Sequence, residues 1–321
     1  MSDEPTVIVT GGAGFIGSHL VERLIRDGKS VIVIDDCSTG SWKNFQGIHP
    51  HPRLRIVRGK VSECHELGGF VAGAEAIYHL AAAVGVELVV NQLVRTLRTN
   101  LRETEAVFEA AARHGVPVLV TSTSEVYGKS NKEWFEEGDD LLIGPPHFGR
   151  WGYACSKLMD EFLGLAYAKE QELPVLVVRL FNTVGPRQTG QYGMVLPRFI
   201  AAAKTGAPIR VFGDGRQSRC FCDVQDVIEA LTRLMSCPAA RGEVVNVGND
   251  EEITILQLAE LVRDTLGSKS AIEFVPYKDA YGPNFEEMQR RRPSIAKLAR
   301  LTGFRPTPTL TETIRRTAAT M

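Results

Sequence analysis

Residues 10 to 17 read Thr10-Gly11-Gly12-Ala13-Gly14-Phe15-Ile16-Gly17, and their flanks narrow the possible folds more than any other part of the chain. Ahead of them lies Val7-Ile8-Val9, an apolar run of buried-strand length. Behind them lies His19-Leu20-Val21-Glu22-Arg23-Leu24-Ile25, which has helical spacing. A strand, a glycine turn and a helix in that order bring backbone N–H groups up to a pyrophosphate at the helix N-terminus. The spacing is G-x-x-G-x-x-G through Gly11, Gly14 and Gly17, not G-x-G-x-x-G, so a purely structural turn is the competing reading until the rest of the chain is considered.

Strand-like runs then alternate with helical patterns through the first 180 residues or so. Val7–Val9, Ser30–Ile34, Leu54–Val57, Ala76–Leu80, Val116–Ser122 and Val175–Leu180 read as strands, with helices between them at Thr99–His114 and Tyr153–Gln171. That alternation predicts an α/β fold, a Rossmann-type doubly wound parallel sheet. After Gly185-Pro186 the pattern loosens: Pro197, Pro208, Gly213-Asp214-Gly215 and Pro238 punctuate shorter segments, Glu243–Val247 reads as a strand and Leu256–Leu266 as a helix. The expected organisation is a dinucleotide-binding domain over residues 1–184, with a return segment near 221–250, and a smaller C-terminal substrate-binding lobe over 185–321.

Lys plus Arg (37) nearly balance Asp plus Glu (38), for a net charge of −1. No global field draws the chain to nucleic acid, so an anion must be held by a local cluster. Apolar stretches are about strand length, far short of the roughly 20 residues a bilayer requires. The N-terminus runs straight into the first strand, so the expectation is a soluble cytoplasmic protein. Six cysteines, Cys37, Cys64, Cys155, Cys220, Cys222 and Cys237, are scattered; the Cys220-Phe221-Cys222 alternation suits a strand with buried free thiols rather than a metal site.

Asp35 closes the second strand about 20 residues after the glycine turn, where a carboxylate accepts from ribose hydroxyls and repels a 2′-phosphate. Together with Asp36 it favours NAD over NADP, although Lys43 and Arg53 nearby leave NADP open.

Tyr153-Ala154-Cys155-Ser156-Lys157 supplies a second signal, because residues four apart share a helix face. A nearby ammonium and a positively charged nicotinamide favour the phenolate of a tyrosine, which can take the proton of a sugar hydroxyl as hydride leaves the same carbon. The strand-borne Thr121-Ser122-Thr123-Ser124-Glu125-Val126-Tyr127-Gly128 ends where ligands bind in doubly wound sheets.

These segments, with His79-Leu80-Ala81-Ala82, Phe181-Asn182-Thr183-Val184-Gly185-Pro186-Arg187 and Gln217-Ser218-Arg219-Cys220-Phe221, resemble the extended short-chain dehydrogenases/reductases of the nucleotide-sugar epimerase, dehydratase and decarboxylase family over nearly the whole length. The resemblance implies tightly bound NAD and oxidation of a sugar 4-hydroxyl to a ketone that enables a second step. It implies Thr123 at the 4-oxygen, Tyr153 as base, Lys157 on the nicotinamide ribose, and Ser124, Glu125 and Arg291 beside them in catalysis. Around the cofactor it implies Gly11, Gly14, Phe15, Ile16, Gly17, Asp35, Asp36, Leu80, Ala81, Ala82 and Asn100, and around the substrate Glu87, Asn182, Arg187, Arg219, Tyr281 and Arg291. One departure is Gly59-Lys60-Val61, where the family usually places Gly-Asp and an aliphatic residue; Lys60 cannot accept a hydrogen bond from adenine.

Ser124-Glu125 after Thr123 lacks the Asp-Glu pair typical of dehydration and is similar to UDP-glucuronate decarboxylases. Gly149-Arg150-Trp151-Gly152-Tyr153, Tyr281-Gly282 and Arg291-Arg292-Pro293-Ser294-Ile295 carry the same resemblance, in which an Arg at position 291 sits by the sugar carboxyl and Glu125 is its partner carboxylate. Leu88 departs from the family's tyrosine, and the Asn182–Pro186 stretch equally resembles 4-epimerases. The resemblance therefore leaves decarboxylase, UDP-sugar 4-epimerase (UDP-glucose or UDP-glucuronate) and 4,6-dehydratase open. A non-catalytic NAD sensor has no use for Thr123, Tyr153 and Lys157, and an RNA binder would carry interleaved aromatic and basic residues.

Blander readings exist for single residues: Arg290–Arg292 as a solvated face, Glu125 as a loop support, Cys155 and Trp151 as packing, His79 as a satisfied structural histidine. Surplus apolar positions on the Thr99–His114 and Tyr153–Gln171 helices, which family members pair in a four-helix contact, imply a homodimer.

Overall fold

The structure, a computed structural model, describes residues 6–83, 92–190, 194–281, 286, 288–307 and 309–321. Its central layer is built from β1 (Thr6–Thr10), β2 (Ser30–Asp35), β3 (Leu54–Arg58), β4 (Ala74–His79), β5 (Val118–Thr123), β6 (Val175–Leu180) and β11 (Val244–Val247). Among the described residues these form one seven-stranded parallel sheet in the order β11-β6-β5-β4-β1-β2-β3. The order reverses between β1 and β4, which opens a crevice at the carboxyl ends of the strands.

The strands are predominantly apolar along their middles because both faces are covered. Side chains alternate between the two covers. Val7, Val9, Val31, Val33, Leu119, Val178 and Val245 pack into one core with α1 (Phe15–Arg26) and α6 (Val224–Met235). Ile8, Ile34, Ile77, Val118, Val120, Val175 and Val177 pack into the other with α2 (Leu67–Ala72), α3 (Leu93–Ala112) and α4 (Gly149–Glu170).

After β6 the chain crosses to a second layer through β7 (Thr183–Val184). There α5 (Val195–Thr205), α7 (Ile255–Thr265) and α10 (Leu310–Thr320) close around the parallel pair β8 (Ile209–Phe212) and β13 (Ile272–Val275). The expected single strand at Cys220-Phe221-Cys222 is instead two: β9 (Ser218–Cys220) pairs with β12 (Glu252–Thr254), and β10 (Cys222–Asp223) pairs with β7. Both thiols are buried and free, as expected. The short helix α8 (Tyr277–Tyr281) follows β13. The chain returns to the sheet through α6 and β11, and again through α9 (Ala296–Thr302), whose Leu298 is buried in the first core. That second return was not legible, because one buried leucine on two helical turns leaves little periodicity. No described helix is long and apolar enough to cross a membrane.

Candidate active site

The carboxyl ends of β1, β2, β4, β5 and β6 border one cavity of about 450 Å³. Its floor at one end is the glycine turn. Gly11 has a φ of +69°, and a Cβ there would lie 2.7 Å from Ala81 N. At Gly17 a Cβ would lie 2.2 Å from Gly11 O, so only glycine lets the helix start this close to the strand. Helix α1 begins with Gly14 as a cap that makes no side-chain hydrogen bond, and its first turn carries no acidic residue. The Gly14 N–H is spent on Gly11 O, and Phe15, Ile16 and Gly17 present main-chain donors and a helix dipole to the cavity, with no acid in the first turn to repel a phosphate.

Asp35 accepts from Ala13 N at 2.8 Å and Cys37 N at 2.7 Å, one bond per carboxylate oxygen. Each oxygen keeps a lone pair for a ribose hydroxyl. Burial raises the Asp35 pKa, against the two backbone donors. Asp36 accepts from Ser38 N. Lys43 and Arg53 do not line the cavity, whereas Asp35, Asp36, Leu80, Ala81 and Ala82 do. The cradle, the free lone pairs and two negative charges fit NAD better than NADP. Lys60 borders the same end with its ammonium 2.7 Å from Glu63, the geometry of a donor and not of the acceptor adenine would need.

At the other end Tyr153 and Lys157 rise from α4, and Thr123 closes β5. The Tyr153 and Thr123 side chains border the same part of the cavity. Burial, then the charge of Glu125, push the phenol well above its usual pKa, opposed by Thr123 and Arg291. Lys157 is buried and its Nζ lies 2.6 Å from Asp160.

The carboxylate of Glu125 is held by two arginines. Arg150 contacts it through Nε (3.1 Å) and through Nη2 to both oxygens (3.0 Å each). Arg291 adds Nη1 at 2.8 Å and also faces Ser124 Oγ at 3.5 Å. The three side chains are 12 to 15 % exposed. Burial alone would raise the Glu125 pKa; Arg150 and Arg291, with Arg219 behind them, outweigh it and hold the carboxyl below its ordinary value. Arg291 Nε is buried without a hydrogen-bond partner. The segment carrying Arg291 is strapped on both sides: Phe135 N donates to Arg292 O, Ser294 N to Phe135 O, and Ser218 N to Gln289 O. The three arginines thus diverge, Arg290 to Glu252, Arg291 to Glu125 and Arg292 over the Trp134 ring, which corrects the reading of a solvated face.

A family model described as the NAD dependent epimerase/dehydratase family matches residues 7–248. The chain belongs to that family. A UDP-N-acetyl-alpha-D-glucosaminuronate decarboxylase of Bacillus cytotoxicus is 38% identical over 301 residues, covering 93% of this chain and 92% of the relative. UDP-glucuronic acid decarboxylase 1 of Danio rerio is 34% identical over 325 residues, 98% of this chain and 72% of the relative. Among solved structures, the UDP-glucuronic acid 4-epimerase of Bacillus cereus, in complex with UDP-glucuronic acid and NAD, superposes with a TM-score of 0.87 at 26% identity, over 98% of each chain.

Seen as a member of this NAD-dependent family, the chain brings most of its expected site residues to one place. Thr123, Ser124, Glu125, Tyr153, Lys157, Asn182, Arg187 and Arg291 all line the cavity. Arg187, in a left-handed conformation (φ 70°), pairs with Glu22 and leaves Nη1 buried without a partner. Asn182 Nδ2 donates to Cys220 O at 2.9 Å. Asn100 does not line the cavity; its amide accepts from Ala83 N and donates to Ser156 Oγ, so it braces the β4 turn against α4. Arg219 is buried beside the Ser218 and Gln289 carbonyls, behind the cavity wall. Glu87 and the side chain of Tyr281 lie outside the described residues. His79 is a satisfied structural histidine, held by Thr10 Oγ1 at 2.7 Å and Thr104 Oγ1 at 3.0 Å. Trp151 is packing as read, with its indole N–H on Glu286. Cys155, read as packing, is exposed on α4, because its helix face points away from the sheet. Sequence reasoning quoted Arg150 without giving it a role; its place one residue before a buried Trp was the available signal.

Proposed function

We propose that the chain is an NAD-dependent decarboxylase of a UDP-hexuronate, in the first place UDP-glucuronate. One observation carries this reading: two guanidinium groups converge on the single carboxylate of Glu125, beside the Thr123–Tyr153 pair. The net positive charge so created faces the cavity and suits a second carboxylate, that of the sugar. The names of the relatives, which act as decarboxylases of UDP-linked uronic acids, support it.

When bound, NAD supplies the hydride acceptor and, on the return step, the donor. In this reading Tyr153 takes the proton of the 4-hydroxyl as its C4–H bond gives up hydride, and Thr123 holds the 4-oxygen. The product ketone lies β to the sugar carboxylate. The C5–C6 bond then breaks, carbon dioxide leaves, and its electron pair passes into the C4–C5 enolate, whose oxygen is met by Thr123 and Tyr153. C5 takes a proton and the ketone is reduced again. Arg291, which lines the cavity, orients the carboxylate before it leaves. Lys157 binds the nicotinamide ribose, Gly11 through Gly17 the pyrophosphate, and Asn182 and Arg187 the substrate, while Arg219 stays behind the wall. The sheet domain is the coenzyme lobe and the layer after residue 184 the sugar lobe.

Dehydration at C5–C6 is disfavoured, because it needs a proton donor where Glu125 is held as an anion. UDP-glucuronate 4-epimerase is the second reading, favoured by the Bacillus cereus structure. Incubation with UDP-glucuronate, UDP-N-acetylglucosaminuronate and UDP-glucose, followed by mass spectrometry, separates them. Loss of the mass of carbon dioxide from a uronate supports the proposal, and an unchanged mass with a new stereoisomer replaces it with epimerisation. Tyr153→Phe should abolish either reaction while NAD binding persists.

Val94 and Leu101 on α3 and Met159 and Phe162 on α4 are exposed apolar residues on helices that pack together, which supports a homodimer through this face. A cytoplasmic location belongs to the same proposal.

A further inference from the structure

Lys157 is not alone on its helix. Asp160, one turn on, meets its ammonium at 2.6 Å, and the two side chains are 3 % and 1 % exposed. The second oxygen of Asp160, Oδ1, is buried without a hydrogen-bond partner. A buried, half-satisfied carboxylate is costly unless its charge is used. Of the three ammonium hydrogens and two carboxylate oxygens of this pair, one hydrogen and Oδ2 are used on each other, and Oδ1 of Asp160 has no partner; Lys157 also lines the cavity.

The surrounding charges are otherwise accounted for. On α4 itself, Glu161 is paired with Arg179 of β6 at 2.7 Å. From β4, His79 is buried and kept neutral, its pKa lowered to about 3 by burial and by Lys157. From α3, Glu103 is spent on Ser62. From the turn after β5, Glu125 is clamped by Arg150 and Arg291, with Arg219 behind. Asp160 is therefore the group that decides whether the Lys157 corner is cationic or neutral.

We propose that Asp160 is a charge-balancing positioning residue, which fixes Lys157 by one donor and cancels its charge, so setting both the acidity of Tyr153 and the preference of the site for NAD+ over NADH. The inference rests on the reading of Tyr153 and Lys157 as the base and its partner. With Asp160 present, the oxidised nicotinamide approaches a neutral corner. Without it, the cationic ring meets an uncompensated ammonium, whereas uncharged NADH meets no such repulsion. A unit charge removed at close range in a low-dielectric site changes such an equilibrium by about tenfold. The same change brings net positive charge to Tyr153 and favours its phenolate; the Asp160 carboxylate is one of the charges that now raise the phenol.

The test is Asp160→Asn, with NAD+ and NADH affinities measured by calorimetry. The ratio of the NAD+ to the NADH dissociation constant should rise about tenfold. In the NAD+-bound protein, the phenolate ultraviolet difference between each background and its Tyr153→Phe partner should titrate roughly 0.5–1 pH unit lower in Asp160→Asn than in the parent. An unchanged affinity ratio overturns the proposal and makes Asp160 a structural residue. If Tyr153→Phe retains turnover, the assignment of the base fails, while the affinity ratio still decides the role of Asp160. Should Asp160→Asn not fold, Asp160→Ser makes the same charge change with a smaller side chain.

Discussion

Replacing each arginine of the Glu125 clamp by leucine should separate folding from chemistry. Arg150 makes three contacts to Glu125 within 3.1 Å, donates to the Glu286 carbonyl, and lies 5.4 Å over the Trp151 ring. Arg291 makes one contact to Glu125, at 2.8 Å. Charge-assisted hydrogen bonds contribute about 1.5–3 kcal/mol each and are not additive on a shared acceptor. Because Glu125 is mostly buried and keeps Arg291, Arg150→Leu should cost about 2–4 kcal/mol of folding stability, near the lower part of the range for a broken buried pair. Arg291→Leu leaves the Arg150 fork intact and should cost about 1–2 kcal/mol. Turnover should follow the opposite order. In the proposed reaction Arg291 meets the sugar carboxylate, so its loss should reduce the rate on a UDP-uronate by about 10²–10³-fold, as for removal of a transition-state donor. Arg150→Leu should reduce it by roughly tenfold, through a less well-placed Glu125. Urea unfolding with unchanged m-values gives the first comparison, and mass-resolved turnover the second. If Arg291→Leu proves the more destabilising and Arg150→Leu the more damaging to turnover, the division of labour argued here is wrong.

Further expectations follow from other parts of the fold. Gly17→Ala places a Cβ 2.2 Å from Gly11 O, a backbone atom that cannot swing aside, so NAD binding should be lost in calorimetry and stability should fall by about 1–3 kcal/mol. His79 is neutral in the fold, with its pKa lowered from 6.5 to about 3 by burial and Lys157, so its contribution to stability is complete above pH 6.5 and is lost as pH falls toward 3. Between pH 6.5 and 5 that is about 2 kcal/mol, and His79→Asn should flatten the denaturant midpoint over this window if the histidine is the cause. Phe162→Glu puts a charge on the exposed apolar face of α3 and α4; light scattering should register a dimer in the parent and a monomer in the variant, and a variant that stays dimeric excludes this face.

What could be read in the sequence divides by how far apart the cooperating residues lie. The strands of the central sheet were legible because burial on both faces makes each a near-continuous apolar run, and β6 falls at Val175–Leu180 as expected. Helix starts were not: α3 begins at Leu93 rather than Thr99, and α4 at Gly149 rather than Tyr153, because neither has a side-chain cap to mark its first turn. The pairs β8–β13 and β9–β12 escaped because each strand is three or four residues long and partly exposed. In the site, the glycine turn, Thr123, Tyr153 and Lys157 were visible as local patterns. The clamp was only half visible: Arg150 and Glu125 are 25 positions apart and Arg291 and Glu125 are 166 apart, so no periodicity relates them. Asp160 sits within the same helix as Tyr153 and Lys157, yet a carboxylate on a helix is ordinarily a solvated residue, and its burial became apparent only in three dimensions.

The strap that carries Arg291 joins two otherwise separate halves of the protein's logic. In the proposed reading the residues that handle hydrogen, Thr123 and Tyr153, stand on β5 and α4 of the sheet domain, whereas the guanidinium assigned to the acid arrives on a short run fastened by Phe135 and Ser218 main-chain bonds. Exchange of that run alone would leave the redox apparatus untouched while altering what becomes of the oxidised sugar. A lineage built on this scaffold can therefore diversify its products by editing a few positions near its C-terminal end.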